Sequence, residues 1–240
     1  MGAGRGRAEW GGHRNGSRQA ATPADSRRSA MKLVDHPELL SGLPDPTEAA
    51  PWRVLLSGCL AGWACGVDGS DYGMGQALAD WRTLLTVHWI PFCPEQVGMG
   101  TPRRVPDIHG GDGFAVLDGR ARVLDERGVD LTVAMLVGAR AMLDTALRER
   151  VHFALLTDMS AACGSQVISD GCRFAQPRRY QRGVGVGAAL LLRHGVPVVS
   201  QRDYATLGRL RARLDVGFVA DPVARDHHAH PWVLANLPAR

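Results

Sequence analysis

Three cysteines stand where an apolar run stops and a polar turn begins. They are Cys59 after Val54-Leu55-Leu56-Ser57-Gly58, Cys93 after Trp89-Ile90-Pro91-Phe92, and Cys163 after Ser160-Ala161-Ala162. The apolar stretches ahead of them read as short buried strands. In an open parallel α/β sheet, ligand sites form just outside the carboxyl ends of the strands. Three thiols far apart in sequence would then meet at one edge. Three thiolates that leave one coordination position open suit a reactive iron–sulfur cluster or a catalytic metal. Taken singly, each cysteine is bland, because a free cysteine usually just packs. Cys65 and Cys172 lie in turns as well, the Cys59–Cys65 spacing fits no strong zinc pattern, and the chain has no Cys-x-x-Cys.

Other residues near these turns could take part in chemistry. Glu95 follows Cys93 by two positions, so its carboxylate is a candidate general base, or else a solvated loop acid. Ser160 precedes Cys163 by three, close enough for one tight turn to bring both to a site. Asp68 and Arg103 are weaker candidates that either orient a polar substrate or brace their loops. His227, His228 and His230 offer metal-type ligands near the C-terminus, but they read better as part of a flexible polar tail. There is no Gly-x-Ser-x-Gly elbow and no His-Glu-x-x-His pair.

The elements that must position these residues follow from periodicity. Strands are expected at Val54–Ser57, Val87–Phe92, Val151–Thr157 and Val196–Ser200. Helices are expected at Gln76–Leu85, at Leu131–Arg150 with Asp130 as N-cap, at Gly183–His194 ending on Gly195, and at Thr206–Leu214. Gly58 to Gly75 reads as a Gly-rich turn and Pro102 to Gly113 as loop. Strands alternating with helices mean an open, mainly parallel sheet flanked by helices, a Rossmann-like α/β domain. Gly183-Val184-Gly185-Val186-Gly187 follows no strand, so it is weak as a phosphate loop.

Composition sets the outer bounds. With 45% hydrophobic residues in 240, the chain can bury the core of one α/β domain. A net charge of +4 without a basic stripe, and only 6% aromatics, argue against nucleic acid as a partner. No apolar run approaches membrane-spanning length, and no secretory signal is visible. Five cysteines at wide spacings suit reduced thiols in the cytoplasm. Residues 1–50 read as a disordered Arg- and Gly-rich extension with a Pro-containing linker at 44–52. An organellar transit peptide is the sharper alternative for the first 30, and Met31 is a possible true start. Residues 51–214 form the domain and 215–240 a C-terminal tail.

The blocks together resemble a family of largely unknown function that contains the 2-thiouracil desulfidases. Ser57-Gly58-Cys59-Leu60-Ala61-Gly62 is similar to its opening Ser-Ala-Cys-Leu-Leu-Gly, and Asp68-Gly69 to its Tyr-Asp-Gly. Cys93-Pro94-Glu95-Gln96 with Thr101-Pro102-Arg103 resembles its Cys-Pro-Glu-Gln…Thr-Pro-Arg, and Ser160-Ala161-Ala162-Cys163-Gly164 its Ser-Pro-Ser-Cys-Gly. Gly183 to Leu191 with Gly195-Val196-Pro197-Val198 resembles its closing helix and strand, so the likeness spans about residues 53–214 with the blocks in order. It implies a [4Fe-4S] cluster held by Cys59, Cys93 and Cys163, with Glu95 as catalytic carboxylate, Ser160 as catalytic serine, and Cys65 not a ligand. It further implies non-redox removal of sulfur from a thiolated small molecule, a thiopyrimidine such as 2-thiouracil, giving the oxo product and sulfide. Departures are Val67 for the family tyrosine, Ala161-Ala162 for Pro-Ser, and no basic residue in Leu156-Thr157-Asp158-Met159.

Two other classes compete with the enzyme. One is a non-enzymatic iron–sulfur or zinc protein acting as sensor or scaffold, with Cys65 or Cys172 closing the site. The other is a persulfide carrier that needs no metal. The composition of residues 1–30 cannot bury enough surface to offset the entropy of ordering them. A chain begun at Met31 is therefore expected to match the full chain in solubility and melting temperature, which thermal unfolding of both would check.

Overall fold

Val54-Leu55-Leu56, Phe153-Ala154-Leu155-Leu156 and Val198-Val199 are unbroken apolar runs, the pattern of strands covered on both faces. In the computed structural model, which describes Met1 and residues 36–237, the first two runs form the centre of the main sheet and the third an edge strand of it. In chain order the elements are α1 (His36–Gly42), β1 (Trp52–Ser57), β2 (Val87–Phe92), α2 (Pro94–Met99) and β3 (Asp107–His109). Then come α3 (Gly113–Leu117), β4 (Arg122–Leu124), α4 (Thr132–Arg148), β5 (Phe153–Leu156) and β6 (Val167–Ser169). The last are β7 (Tyr180–Arg182), α5 (Val186–Arg193), β8 (Val198–Ser200), α6 (Tyr204–Leu214) and α7 (Pro231–Asn236).

The main sheet is wholly parallel, in the order β2-β1-β5-β8. On one face, Leu55, Ala154 and Val198 pack with Met135 and Met142 of α4 and Leu191 of α5. On the other, Val54, Phe153, Leu155 and Val199 pack with Leu39 and Leu43 from α1 and its exit and Leu207 and Leu210 of α6. The fold is thus the open parallel α/β sheet flanked by helices that the alternation predicts. The chain leaves β1 toward β2 on one side and leaves β5 toward β8 on the other. The crevice between the carboxyl ends of β1 and β5 is therefore the topological switch point, where open α/β sheets bind ligands.

Several local expectations change. Gln76–Leu85 is not a helix but two 3-10 turns, Met74–Gln76 and Trp81–Thr83. The Asp71 carboxylate there accepts from the amides of Gly73 and Gly75, an alternative that competes with helical hydrogen bonds. The expected loop from Pro102 to Gly113 contains β3, which pairs antiparallel with β4. A second antiparallel pair, β6 with β7, lies where no strand was expected. Pro94–Met99 is a helix rather than a plain turn, and its signals were local: proline at N1 and Gly100 at φ +80° behind it.

Both extensions are more ordered than expected within the described residues. Ahead of the expected linker at 44–52, α1 buries Leu39 and Leu43 follows it into the core. The stretch taken for a flexible tail carries α7, buries Val233 and Leu237, and buries His227 against the domain. Two apolar anchors and a polar one hold this segment in place, which a polar-tail composition does not reveal. The disorder expected for residues 1–30 falls, Met1 aside, on residues outside those described.

α2 crosses α4 at backbone contact. A Cβ on Gly138 would sit 1.9 Å from the Pro94 carbonyl oxygen, and one on Gly98 would sit 2.1 Å from that of Ala134. No side chain can stand at either crossing, and this closeness fixes α2 and the Cys93-Pro94-Glu95 start it carries. Gly138→Ala is expected to cost about 1–3 kcal/mol through overpacking and to shift α2 bodily. Chemical denaturation of the variant checks the first, and altered accessibility of Cys93 to a thiol reagent the second.

Candidate active site

Each cysteine is set by the turn that follows its strand. Cys59 lies in the 3-10 turn Gly58–Ala61 directly after β1. Its sulfur is 3.0 Å from Oγ1 of Thr157, at the end of β5, and the Thr157 amide donates to Ser57 Oγ at 3.0 Å. These bonds lace the two sides of the crevice. Cys93 is the N-cap of α2, its Sγ accepting from the Gln96 amide at 3.4 Å. Cys163 is buried, in a loop where its amide donates to Ser160 Oγ at 3.0 Å. All three line one cavity of about 330 Å³, a size suited to a small heterocycle.

Cys65, which the resemblance does not count as a ligand, lines the same cavity. It is 2% exposed, its thiol neighbouring those of Cys59 and Cys93. The Cys65 thiol beside them pulls Cys59 down to about 7 and Cys93 below the usual thiol value. The same two neighbours push Cys65 up, and burial pushes Cys163 up. Cys172 is outside the cavity lining. The sequence signal for Cys65 was only its place in a Gly-rich turn. Its convergence depends on how Gly58 to Gly75 folds back, which spacing does not reveal.

Glu95 and Ser160 meet directly. Ser160 Oγ accepts from the amides of Ala162 and Cys163 at 3.1 and 3.0 Å, which directs its single proton to Glu95 Oε1 at 2.9 Å. Arg103 grips the other oxygen, Oε2, through Nη2 at 2.6 Å and Nε at 3.2 Å. Its Nη1 donates to the carbonyls of Cys65 at 2.8 Å and Gly100 at 3.2 Å, so one guanidinium ties three segments. Burial alone would lower the Arg103 pKa, but the Glu95 carboxylate outweighs it and raises it. Asp68 is exposed, accepts from Ser70, and does not line the cavity; it braces its own loop.

The reading of the residues missed several groups. Tyr72 and Arg173 line the cavity, and Thr157 touches Cys59. Asp158 is the largest omission. Its buried Oδ1 accepts from the amides of Met159, Ser165, Gln166 and Val167 at 3.0–3.3 Å, folding the loop that carries Ser160 and Cys163. Oδ2 accepts from Ser200 Oγ and pairs with His227. A basic partner therefore does reach this loop, from far along the chain.

Four sulfurs converging beside a carboxylate, a hydroxyl and a guanidinium form a donor set for a soft metal or an iron–sulfur centre. By that test the residues present fit such a group.

The chain is similar to known proteins. The uncharacterized protein YbbK of Bacillus subtilis (strain 168) is 32% identical over 153 residues, covering 62% of this chain and 96% of that protein. A solved structure described as the [4Fe-4S]-dependent thiouracil desulfidase TudS shares 32% identity over 62% of this chain and 90% of its own, with a TM-score of 0.49. The family model for 2-thiouracil desulfurase matches residues 54–203, a span holding all four converging thiols together with Glu95, Arg103 and Ser160. The protein belongs to the 2-thiouracil desulfurase family.

Proposed function

We propose that this chain is an iron–sulfur-dependent desulfidase that hydrolyses the C=S bond of a thiolated pyrimidine base such as 2-thiouracil. The observation that carries the reading is Glu95, held by Ser160 and Arg103 beside the converging thiols. Cys59, Cys93 and Cys163 are the proposed ligands of a [4Fe-4S] cluster, and Cys65 stands beside two of them as a thiol. When bound, a cluster with one iron free of protein ligands supplies a soft Lewis acid for the thione sulfur.

The chain's own residues supply the rest. Arg103 fixes the carboxylate plane through Oε2, which leaves Oε1 as the working oxygen. A water that displaces the Ser160 hydroxyl from Oε1 would be held between the two side chains. Glu95 takes its proton as the oxygen adds to the carbon bearing sulfur. One water is consumed, C=S gives way to C=O, and sulfur leaves as hydrogen sulfide. No electron is transferred. Tyr72 and Phe92, which line the cavity, offer aromatic surface for a planar base.

Cys65 favours one rival reading, a closed four-thiolate zinc site with a structural role. Anaerobic purification followed by assay of iron, acid-labile sulfide and zinc separates the two. The desulfidase reading requires four irons with matching sulfide and hydrogen sulfide release from 2-thiouracil; zinc without iron overturns it.

Cys163→Ser is expected to lose the cluster, because a hydroxyl is a hard and poor ligand for its iron. Cys65→Ser keeps a donor and Cys172→Ser lies outside the cavity, so both are expected to retain the visible absorbance. Equal loss in Cys65→Ser and Cys163→Ser would make Cys65 a ligand. Glu95→Gln is expected to keep iron content and thiouracil binding while slowing sulfide release by about 10²–10⁴-fold, the worth of a positioned acid or base. Ser160→Ala is expected to keep the cluster with a similar or smaller loss. Anaerobic sulfide release per iron measures both; loss of iron in Glu95→Gln would make that residue structural.

A further inference from the structure

A second polar cluster lies away from the thiols, where both flanking segments meet the domain. His36 opens α1, Asp203 precedes α6, and Asp226 and His228 come from the segment before α7. One ligand-type atom from each of the four lies within 4.8 Å of the other three. His36, Asp203 and Asp226 are 5%, 0% and 9% exposed. His228 is half-buried, and its Nδ1 is out of solvent with no hydrogen-bond partner among the described residues. An unpartnered imidazole nitrogen on a residue clustered with two buried carboxylates is a donor that a cation would satisfy.

Charge points the same way. Among the described residues, only His36 forms an ion pair with either carboxylate, through Nε2 to Asp203 at 3.3 Å and Nδ1 to Asp226 at 3.2 Å. One imidazole between two buried carboxylates leaves the cluster negative. A divalent cation with two carboxylates and two neutral imidazoles is balanced. The carboxylates are also held in advance. Thr206 donates to Asp226 through its amide at 2.8 Å and its hydroxyl at 2.7 Å, and the amides of Ser200 and His227 donate to Asp203 at 2.8 and 3.0 Å. Such outer hydrogen bonds orient metal ligands.

We propose that His36, Asp203, Asp226 and His228 form a second metal centre, which binds one divalent cation of the zinc class and clamps both flanking segments onto the start of α6. Two nitrogens and two oxygens suit zinc, whereas calcium and magnesium favour sets made of oxygen alone. Three of the four ligands lie outside the matched family span of 54–203, so the centre belongs to this chain's additions. It also reaches the active loop, because His227, next to His228, pairs with Asp158.

The test uses the full chain with its iron–sulfur content measured alongside. Zinc uptake is followed by elemental analysis, and Co²⁺ substitution reports the ligands. The expected result is one zinc equivalent, a raised melting temperature with zinc, and a Co²⁺ spectrum with d–d bands but no thiolate charge transfer. His228→Ala is expected to weaken zinc binding at least about 100-fold, beyond the 10–100-fold typical of losing an outer-shell partner, with iron unchanged. Asp226→Asn keeps the side-chain shape and is expected to do the same. Uptake unchanged in both variants, or a Co²⁺ spectrum showing thiolate coordination alone, would place the cation at the cysteines and overturn the proposal. No uptake by the wild-type chain would overturn it too, leaving His36 as an ion-pair bridge between two carboxylates. Absence of uptake leaves the desulfidase reading untouched, since that reading stands on iron and sulfide release, whereas a thiolate-bound cation in place of iron counts against both; the iron assay run alongside tells the two failures apart.

Discussion

The buried carboxylate of Asp158, at the end of β5, organises more of this structure than any other single group. A carboxylate this far from solvent is costly unless its oxygens are met by donors. Here four backbone amides from the following loop, Ser200 Oγ and His227 surround it. Burial by itself would raise its pKa, but the His227 hydrogen bond and the loop amides hold it below the usual value. Those amides wrap residues 158–167 into a fixed loop, with Met159 at φ 62°. The wrapping brings Ser160 to Glu95 and sets Cys163 behind it. Through His227, the same carboxylate makes the C-terminal segment part of the active region.

A second constraint acts from the opposite side of the crevice. The contact of Gly98 and Gly138 brings α2 against α4 with no side chain between them. α2 starts at Pro94, so this contact locates Cys93 as its N-cap and Glu95 in its first turn. Arg103 then locks the carboxylate by joining it to the Cys65 and Gly100 carbonyls. Glu95 and Ser160 are thus delivered by two separate rigid devices and meet at one hydrogen bond of 2.9 Å. For the chemistry proposed above such pre-organisation matters, because small displacements of a reacting group cost large factors in rate.

The sequence by itself determined the layers and the edge. The apolar runs at 54–56, 153–156 and 198–199, separated by amphipathic helices, admit little but a parallel sheet covered on both faces. Residues placed immediately after parallel strands must then lie at one edge, which is why Cys59, Cys93, Cys163, Glu95 and Ser160 were legible as a group. The tertiary structure alone decided what depends on contacts between distant segments. Cys65 enters the cavity because a Gly-rich turn folds back on β1 and β2. Asp68 does not, because its carboxylate closes a local turn with Ser70. His227 looked like part of a polar tail, yet its position is fixed by Asp158, 69 positions earlier in the chain. Periodicity reports how a segment faces its own core. It carries no information about which buried charge will find which partner, since that pairing is settled by desolvation across the assembled fold.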